Sequence, residues 1–266
     1  MLRKFRSAFL REDSVEIPDW PEDARRAQSF LESSVRRIVN GQQVHRVIVK
    51  GDGPPLVLIP TISDAQFTYF HQVIGLAKYF RVITYLPEKD ARASNTIEKR
   101  VRELADILTV LGVSRAHFVG WSDGGAIGYR FALNYPHRCR SVLFVGVPDK
   151  YRYPLWARPL VACLRIFPIE GLVPARVTGY ILGCLISGPV VRARWISDGA
   201  ARVPDFTATV KHALVAATHE HKVNSSPLEC PSFVLWAADD KFVNLQQINK
   251  FASAIGTQAI RIVERG

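Results

Sequence analysis

Residues 116–125 read Ala116-His117-Phe118-Val119-Gly120-Trp121-Ser122-Asp123-Gly124-Gly125. A short apolar run ends in Gly-x-Ser-x-Gly, and a helix-compatible stretch, Gly125 to Asn134, follows at once. A strand that turns abruptly into a helix forces the residue at the turn into a strained conformation and lifts its side chain above the sheet. Side chains two positions to either side would collide, which is why Gly120 and Gly124 suit those places. The helix N-terminus just past Ser122 offers N–H groups and positive dipole to a developing oxyanion. Ser122 is therefore a candidate nucleophile. The plain alternative is a chance Gly-Ser-Gly turn; strand, elbow and helix in register favour the nucleophile.

The same alternation extends outward on both sides. Asn40-Gly41 is a hairpin signal between two alternating segments, and Leu56 to Ile59 is an apolar run suited to a strand buried on both faces. Phe67–Tyr79 is predicted as a helix and Arg81–Tyr85 as a strand. Asn95–Leu111 is predicted as a longer helix with Val101, Leu104, Ala105 and Leu108 on one face, ended by Gly112. Ser141–Val147 is the strand after the elbow helix. Strands alternating with helices imply right-handed crossovers and a mostly parallel sheet with helices on both faces, an α/β fold. The alternation stops after Asp149 and resumes with a strand at Ser232–Ala237, a helix at Leu245–Ile255 and a strand at Ala259–Val263. The expected organisation is a basic N-terminal segment and helix (1–34), a core (35–149), a helical insertion (150–227) and the last strands of the core (228–266).

Composition bounds the rest. The 266 residues carry 35 Lys+Arg against 24 Asp+Glu, and 48% are hydrophobic, which excludes a disordered chain. Cys139, Cys163, Cys184 and Cys230 are scattered without CxxC pairs or zinc-finger histidines, so neither a disulfide framework nor a metal site is expected, and a reducing, cytoplasmic setting fits. The longest charge-free run, Val177 to Val191, is 15 residues, short of the roughly 18 that argue a membrane span. The start, MLRKFRSAFLRED, is too short in apolar residues for a signal peptide and reads as a solvated basic tail rather than a membrane-surface element.

On these residues the chain resembles the α/β-hydrolase superfamily over residues 35–266. The resemblance implies an oxyanion loop after Leu56-Val57-Leu58-Ile59, with Pro60-Thr61 where the family has His-Gly, and with the N–H groups of Ile62 and Asp123 as donors. It implies an acid in Leu235-Trp236-Ala237-Ala238-Asp239-Asp240, for which Asp240 fits the spacing better than Asp239; Asp149 occupies the position that some members use instead. The elbow Gly-Trp-Ser-Asp-Gly-Gly is similar to that of valacyclovir-hydrolase-like amino-acid ester hydrolases, in which the residue after the nucleophile helps hold the substrate's amino group. Asp123 is a candidate substrate-binding residue on that ground, with Trp121 and Trp156 beside it. A fainter similarity, in Leu58-Ile59-Pro60, Ser63 and Ser187-Gly188-Pro189-Val190, is to maspardin-like proteins.

The family's histidine follows the last strand, and none lies between Asp240 and Gly266. The seven histidines all precede Asp240, and His219 and His221, two apart in a predicted helix, read as a solvated face. The catalytic histidine is therefore expected just beyond Gly266. Residues 150–202 hold eight Lys+Arg against Glu170 and Asp198, interleaved with apolar residues. In this superfamily such an insertion is a lid, and an apolar lid with a basic rim suits acyl substrates, with weak contact to anionic membrane surfaces as an expectation. No recognition motif points to nucleic acid, and nothing in the sequence sets the oligomeric state. The expected function is a serine hydrolase of the carboxylesterase kind acting on a small apolar substrate, without metal or organic cofactor. The alternative is a non-catalytic binding or scaffold protein that keeps the fold.

Overall fold

The computed structural model describes residues 35–61, 69–87, 96–151, 173–180, 207–208, 210–211, 221–223, 226–240 and 242–264, together with scattered positions of a helix between 22 and 34. Eight strands form one sheet: β1 (Arg36–Asn40), β2 (Gln43–Lys50), β3 (Pro55–Ile59), β4 (Arg81–Leu86), β5 (Ala116–Trp121), β6 (Cys139–Val145), β7 (Ser232–Ala237) and β8 (Ile260–Val263). Their order is β1-β2-β4-β3-β5-β6-β7-β8. The first two neighbour pairs are antiparallel and all the others parallel. The β1–β2 hairpin turns at Gly41, whose φ of +60° favours a residue without Cβ.

Four helices are described from end to end: α1 (Phe70–Leu76), α2 (Ile97–Val110), α3 (Asp123–Asn134) and α4 (Leu245–Ala254). Successive residues of β3 feed two separate cores. Val57 and Ile59 join the apolar layer with α2, α3 and α4, while Leu56 and Leu58 join Tyr69 and Val73 on the α1 side. That division is the reason β3 is apolar throughout rather than alternating. The α2 face foreseen from its periodicity, Val101, Leu104, Ala105 and Leu108, is buried. It is interrupted by a buried ion pair between Arg100 and Glu103, one helical turn apart.

The ends of the elements are fixed by side chains. Thr96 caps α2 by accepting from Lys99 N. The Arg138 guanidinium donates to the carbonyls of Ala105 and Val113 at 3.2 and 3.0 Å, tying the far end of α2 to the entry of β6. Cys139 and Cys230 are buried free thiols; Cys163 and Cys184 lie outside the described residues.

Most of the expected insertion (150–227) also lies outside the described residues, Trp156 and most of its basic residues among them. Residues 175–180 are helical, and Thr207 ties that piece to a second one by donating to Val173 O at 3.0 Å. Among the described residues no helix is long and apolar enough to cross a membrane.

The helix α4 opens with a capping box. Asn244 accepts from Gln247 N at 3.0 Å, and Gln247 Oε1 accepts from Asn244 N at 3.2 Å. Replacing Asn244 by Ala should lower stability by about 1 kcal/mol. A urea titration checks this: the midpoint should fall while the slope with denaturant stays unchanged.

Candidate active site

Ser122 stands between β5 and α3 with φ 52° and ψ −127°, and among the described residues no other non-glycine has a positive φ. Its N–H donates to Val145 O at 3.0 Å, which ties the elbow to β6. Its carbonyl accepts from Gly125 N at 2.9 Å, which starts the helix. The helix opens at Asp123, two residues earlier than periodicity suggested, so its first turn begins directly at the serine. The turn is possible because three residues lack a Cβ. One on Gly120 would stand 2.6 Å from Gly124 O, one on Gly124 2.6 Å from Ile59 O, and one on Gly125 2.2 Å from a Val147 methyl. Backbone carbonyls cannot yield as a flexible side chain would.

On the β3 side of the elbow, a buried tyrosine hydroxyl spans two strand ends. Tyr69 donates to Ile59 O at 3.1 Å and accepts from Trp121 N at 3.1 Å. The strand leading to the oxyanion loop is thereby held to the strand leading to Ser122. Thr61 and Asp123 are buried there; Ile62, the expected second oxyanion donor, lies outside the described residues.

On the other side of β5 lies Asp240, the candidate acid. Asp240 Oδ1 accepts from the N–H groups of Phe242 and Val243 at 2.8 and 3.0 Å, and the Trp236 indole closes the same loop by donating to Val243 O at 2.8 Å. Gly146, at the end of β6, has its Cβ position 3.5 Å from Asp240 Oδ2 and 3.9 Å from Trp121 Nε1. One carboxylate oxygen is thus anchored by backbone, and the other lies over the strand beside the elbow. Asp239 is exposed, while Asp149 is half-buried with its carbonyl accepting from Val223 N at 3.2 Å.

This arrangement of strand order, elbow and acid has counterparts among known proteins. A family model described as alpha/beta hydrolase fold matches residues 87–165. Over 246 residues the chain is 23% identical to "Putative carbamate hydrolase RutD" of Pseudomonas savastanoi pv. phaseolicola, covering 84% of this chain and 90% of that protein. It is also 23% identical over 172 residues to 2-hydroxy-6-oxononadienedioate/2-hydroxy-6-oxononatrienedioate hydrolase of Comamonas testosteroni, covering 62% of this chain and 60% of that one. The crystal structure of the enol-lactonase from Burkholderia xenovorans superposes with a TM-score of 0.67 at 20% identity, over 86% of this chain and 91% of that one. The chain has the α/β-hydrolase fold.

Within that fold the histidines take the following places. His71 and His137 are exposed, and His45 is buried in β2. His117 Nδ1 meets Ser141 Oγ at 2.8 Å, across the β5–β6 pair. His212 and His219 lie outside the described residues. His221 differs from expectation: it is non-helical and buried, not on a solvated face. Its Nε2 donates to Pro148 O at 2.7 Å, and its ring packs against Tyr151 with centroids 5.3 Å apart. A spacing of two argues for divergent directions only within a helix, and His221 is outside one. Tyr151, which the sequence did not single out, brings its hydroxyl to 3.5 Å from Ser122 Oγ. Among the described residues no grouping of side chains could hold a metal ion.

Two outcomes follow from this geometry. Gly124→Ala should cost about 1–3 kcal/mol, because the new methyl meets the Ile59 carbonyl; chemical unfolding measures it, and a cost near zero would mean that the elbow relaxes freely. The second concerns pH. Burial, the largest cause, pushes the His221 pKa below its ordinary 6.5, with the Pro148 hydrogen bond opposing. The unfolded chain therefore takes up a proton near pH 6.5 while the folded one resists it, so stability is lost as pH falls below that value. The melting temperature should drop between about pH 7 and pH 5, and less steeply in His221→Gln than in the parent.

Proposed function

We propose that the protein is a serine hydrolase that cleaves an ester or related acyl bond of a small, largely apolar substrate. The observation that carries this is the backbone of Ser122, held in a strained conformation with a helix N-terminus opening at the next residue. Strain of this kind costs of order 1–3 kcal/mol and persists where the surrounding structure enforces it.

In the proposed reaction Ser122 Oγ attacks the acyl carbon and passes its proton to a histidine. The N–H groups of Asp123 and Ile62 receive the negative charge that develops on the carbonyl oxygen. The histidine then protonates the leaving group, and water reverses the sequence to free the acid. Asp240 orients the imidazole and stabilises its protonated form, a task suited to a carboxylate with one oxygen anchored and the other beside the elbow. The histidine is the one that the family resemblance implies. Trp121, Trp156 and Asp123 are proposed to contact substrate, with the 150–227 insertion as a lid. Relatives named as a carbamate hydrolase and as a 2-hydroxy-6-oxononadienedioate hydrolase support a hydrolase, and the substrate proposed here is kept to the acyl class.

One observation favours a second reading, a binding protein that keeps the fold: the side chain found at Ser122 Oγ is Tyr151, and none of the described histidines is hydrogen-bonded to it. A fluorophosphonate probe on the full-length protein separates the two. Labelling of the parent and its loss in Ser122→Ala is the result expected, with Asp240→Asn slowed by several orders of magnitude in turnover. Equal labelling of parent and Ser122→Ala would remove Ser122 as nucleophile.

A further inference from the structure

Tyr151 has no role in the mechanism above, yet it is the side chain that reaches Ser122. Its position is not accidental to one loop. The segment 148–151 is pinned at three successive carbonyls: Pro148 O accepts from His221 Nε2 at 2.7 Å, Asp149 O from Val223 N at 3.2 Å, and Lys150 O from Gln247 Nε2 at 3.0 Å. Two of these donors, His221 and Gln247, are themselves buried. The tyrosine ring is then backed by the His221 imidazole. A phenol held this firmly keeps its hydroxyl in one place.

That place has a side. The β3 flank of the elbow, where Gly124 abuts Ile59 O, is the side proposed for the oxyanion. Tyr151 comes from the loop after β6, the same flank on which Asp240 Oδ2 lies over Gly146. A leaving group departs on the flank of the acid and base, opposite the oxyanion. The separation of 3.5 Å is longer than the about 2.7–2.8 Å of a good O–H···O bond. Ser122 is therefore not tied up by the phenol. An ester oxygen on the carbon that Ser122 attacks would sit beside the two hydroxyls, at hydrogen-bond distance from the phenol.

We propose that Tyr151 is a catalytic residue that donates a hydrogen bond to the leaving oxygen, and that the enzyme's substrates are accordingly esters of unactivated alcohols. This rests on the serine-hydrolase reading. When the tetrahedral intermediate collapses, the bond from carbon to the leaving oxygen breaks and its electron pair stays on that oxygen. The proton that neutralises it comes from the imidazolium; Tyr151 keeps its own proton and lowers the charge that builds up before transfer. Poor leaving groups carry more of that charge, so they depend on the phenol more.

The test is a series of acetate esters, from 4-nitrophenyl through phenyl to alkyl, hydrolysed by full-length parent and Tyr151→Phe, with fluorophosphonate labelling of Ser122 in both. The loss in kcat/KM on removing the hydroxyl should grow along the series, reaching about tenfold or more for the alkyl esters, the worth of one hydrogen bond. The plot of log rate against leaving-group pKa should be steeper in the variant. A loss of equal size for every ester, or no loss at all, would overturn the proposal. So would a Tyr151→Phe protein that no longer labels, since the tyrosine would then be holding the elbow together. If the parent itself does not label at Ser122, the serine-hydrolase reading fails, and the proposal with it.

Discussion

Everything at the candidate site depends on a steric constraint, the crowding that holds Ser122 at a positive φ. The chain must leave β5 and enter α3 within one residue, and the space beneath that turn is filled by backbone. Gly124 passes over the Ile59 carbonyl, Gly120 under Gly124 and Gly125, and Gly125 against Val147. None of these contacts is attractive enough to stabilise the fold by itself. Their effect is exclusion: with β3, β5 and β6 in register, the turn has one path. The strain is offset by the burial of β5 and α3, whose residues Phe118, Ala126, Ile127 and Phe131 lie in the larger core.

The sheet order converts that path into a division of labour. With β3 on one side of β5 and β6 on the other, whatever follows β3 faces the serine from one flank, and whatever follows β6 and β7 from the opposite flank. Each flank carries its own fastening. Tyr69 joins the ends of β3 and β5 through one hydroxyl, at the place where the strands diverge and a backbone bridge is no longer made. The acid flank is fastened by Trp236, Asp240 and the capping box of α4, all within residues 236–247. A carboxylate that spends one oxygen on two N–H donors loses rotational freedom, so its second oxygen is preorganised before any substrate arrives.

Legibility in the sequence followed the range of the interaction. The hairpin at Asn40-Gly41, the apolar run of β3, the α2 face and the Gly-x-Ser-x-Gly spacing each leave a local pattern visible in a single chain, although Gly124 and Gly125 meet Ile59 and Val147, distant in sequence. The boundaries moved by one to three residues where caps decide them, as at Asp123 for α3 and Ile97 for α2. Tyr69 was not visible, because its hydroxyl meets a strand 52 positions away. His221 was misplaced for a related reason. Periodicity describes a residue only within a helix, and no local signal marks His221 as lying outside one. The basic, apolar stretch between 150 and 227 gave composition without placement, so its reading as a lid rests on resemblance.

His221 and Tyr151 show how a buried polar group can shape a site without touching it. An imidazole in an apolar layer, among Tyr129, Tyr151 and Phe251, is costly unless a hydrogen bond compensates it. The Pro148 carbonyl supplies that bond, and it belongs to the segment that carries Tyr151. Because the acceptor is a carbonyl, Nε2 must hold a proton, and burial disfavours a second one on the ring. The neutral imidazole is thus fixed in one tautomer and serves as a rigid strut under the loop. Replacing it by an apolar residue would remove the strut and leave the Pro148 carbonyl to find another donor, so the geometry around Ser122 depends on a histidine that performs no acid–base chemistry.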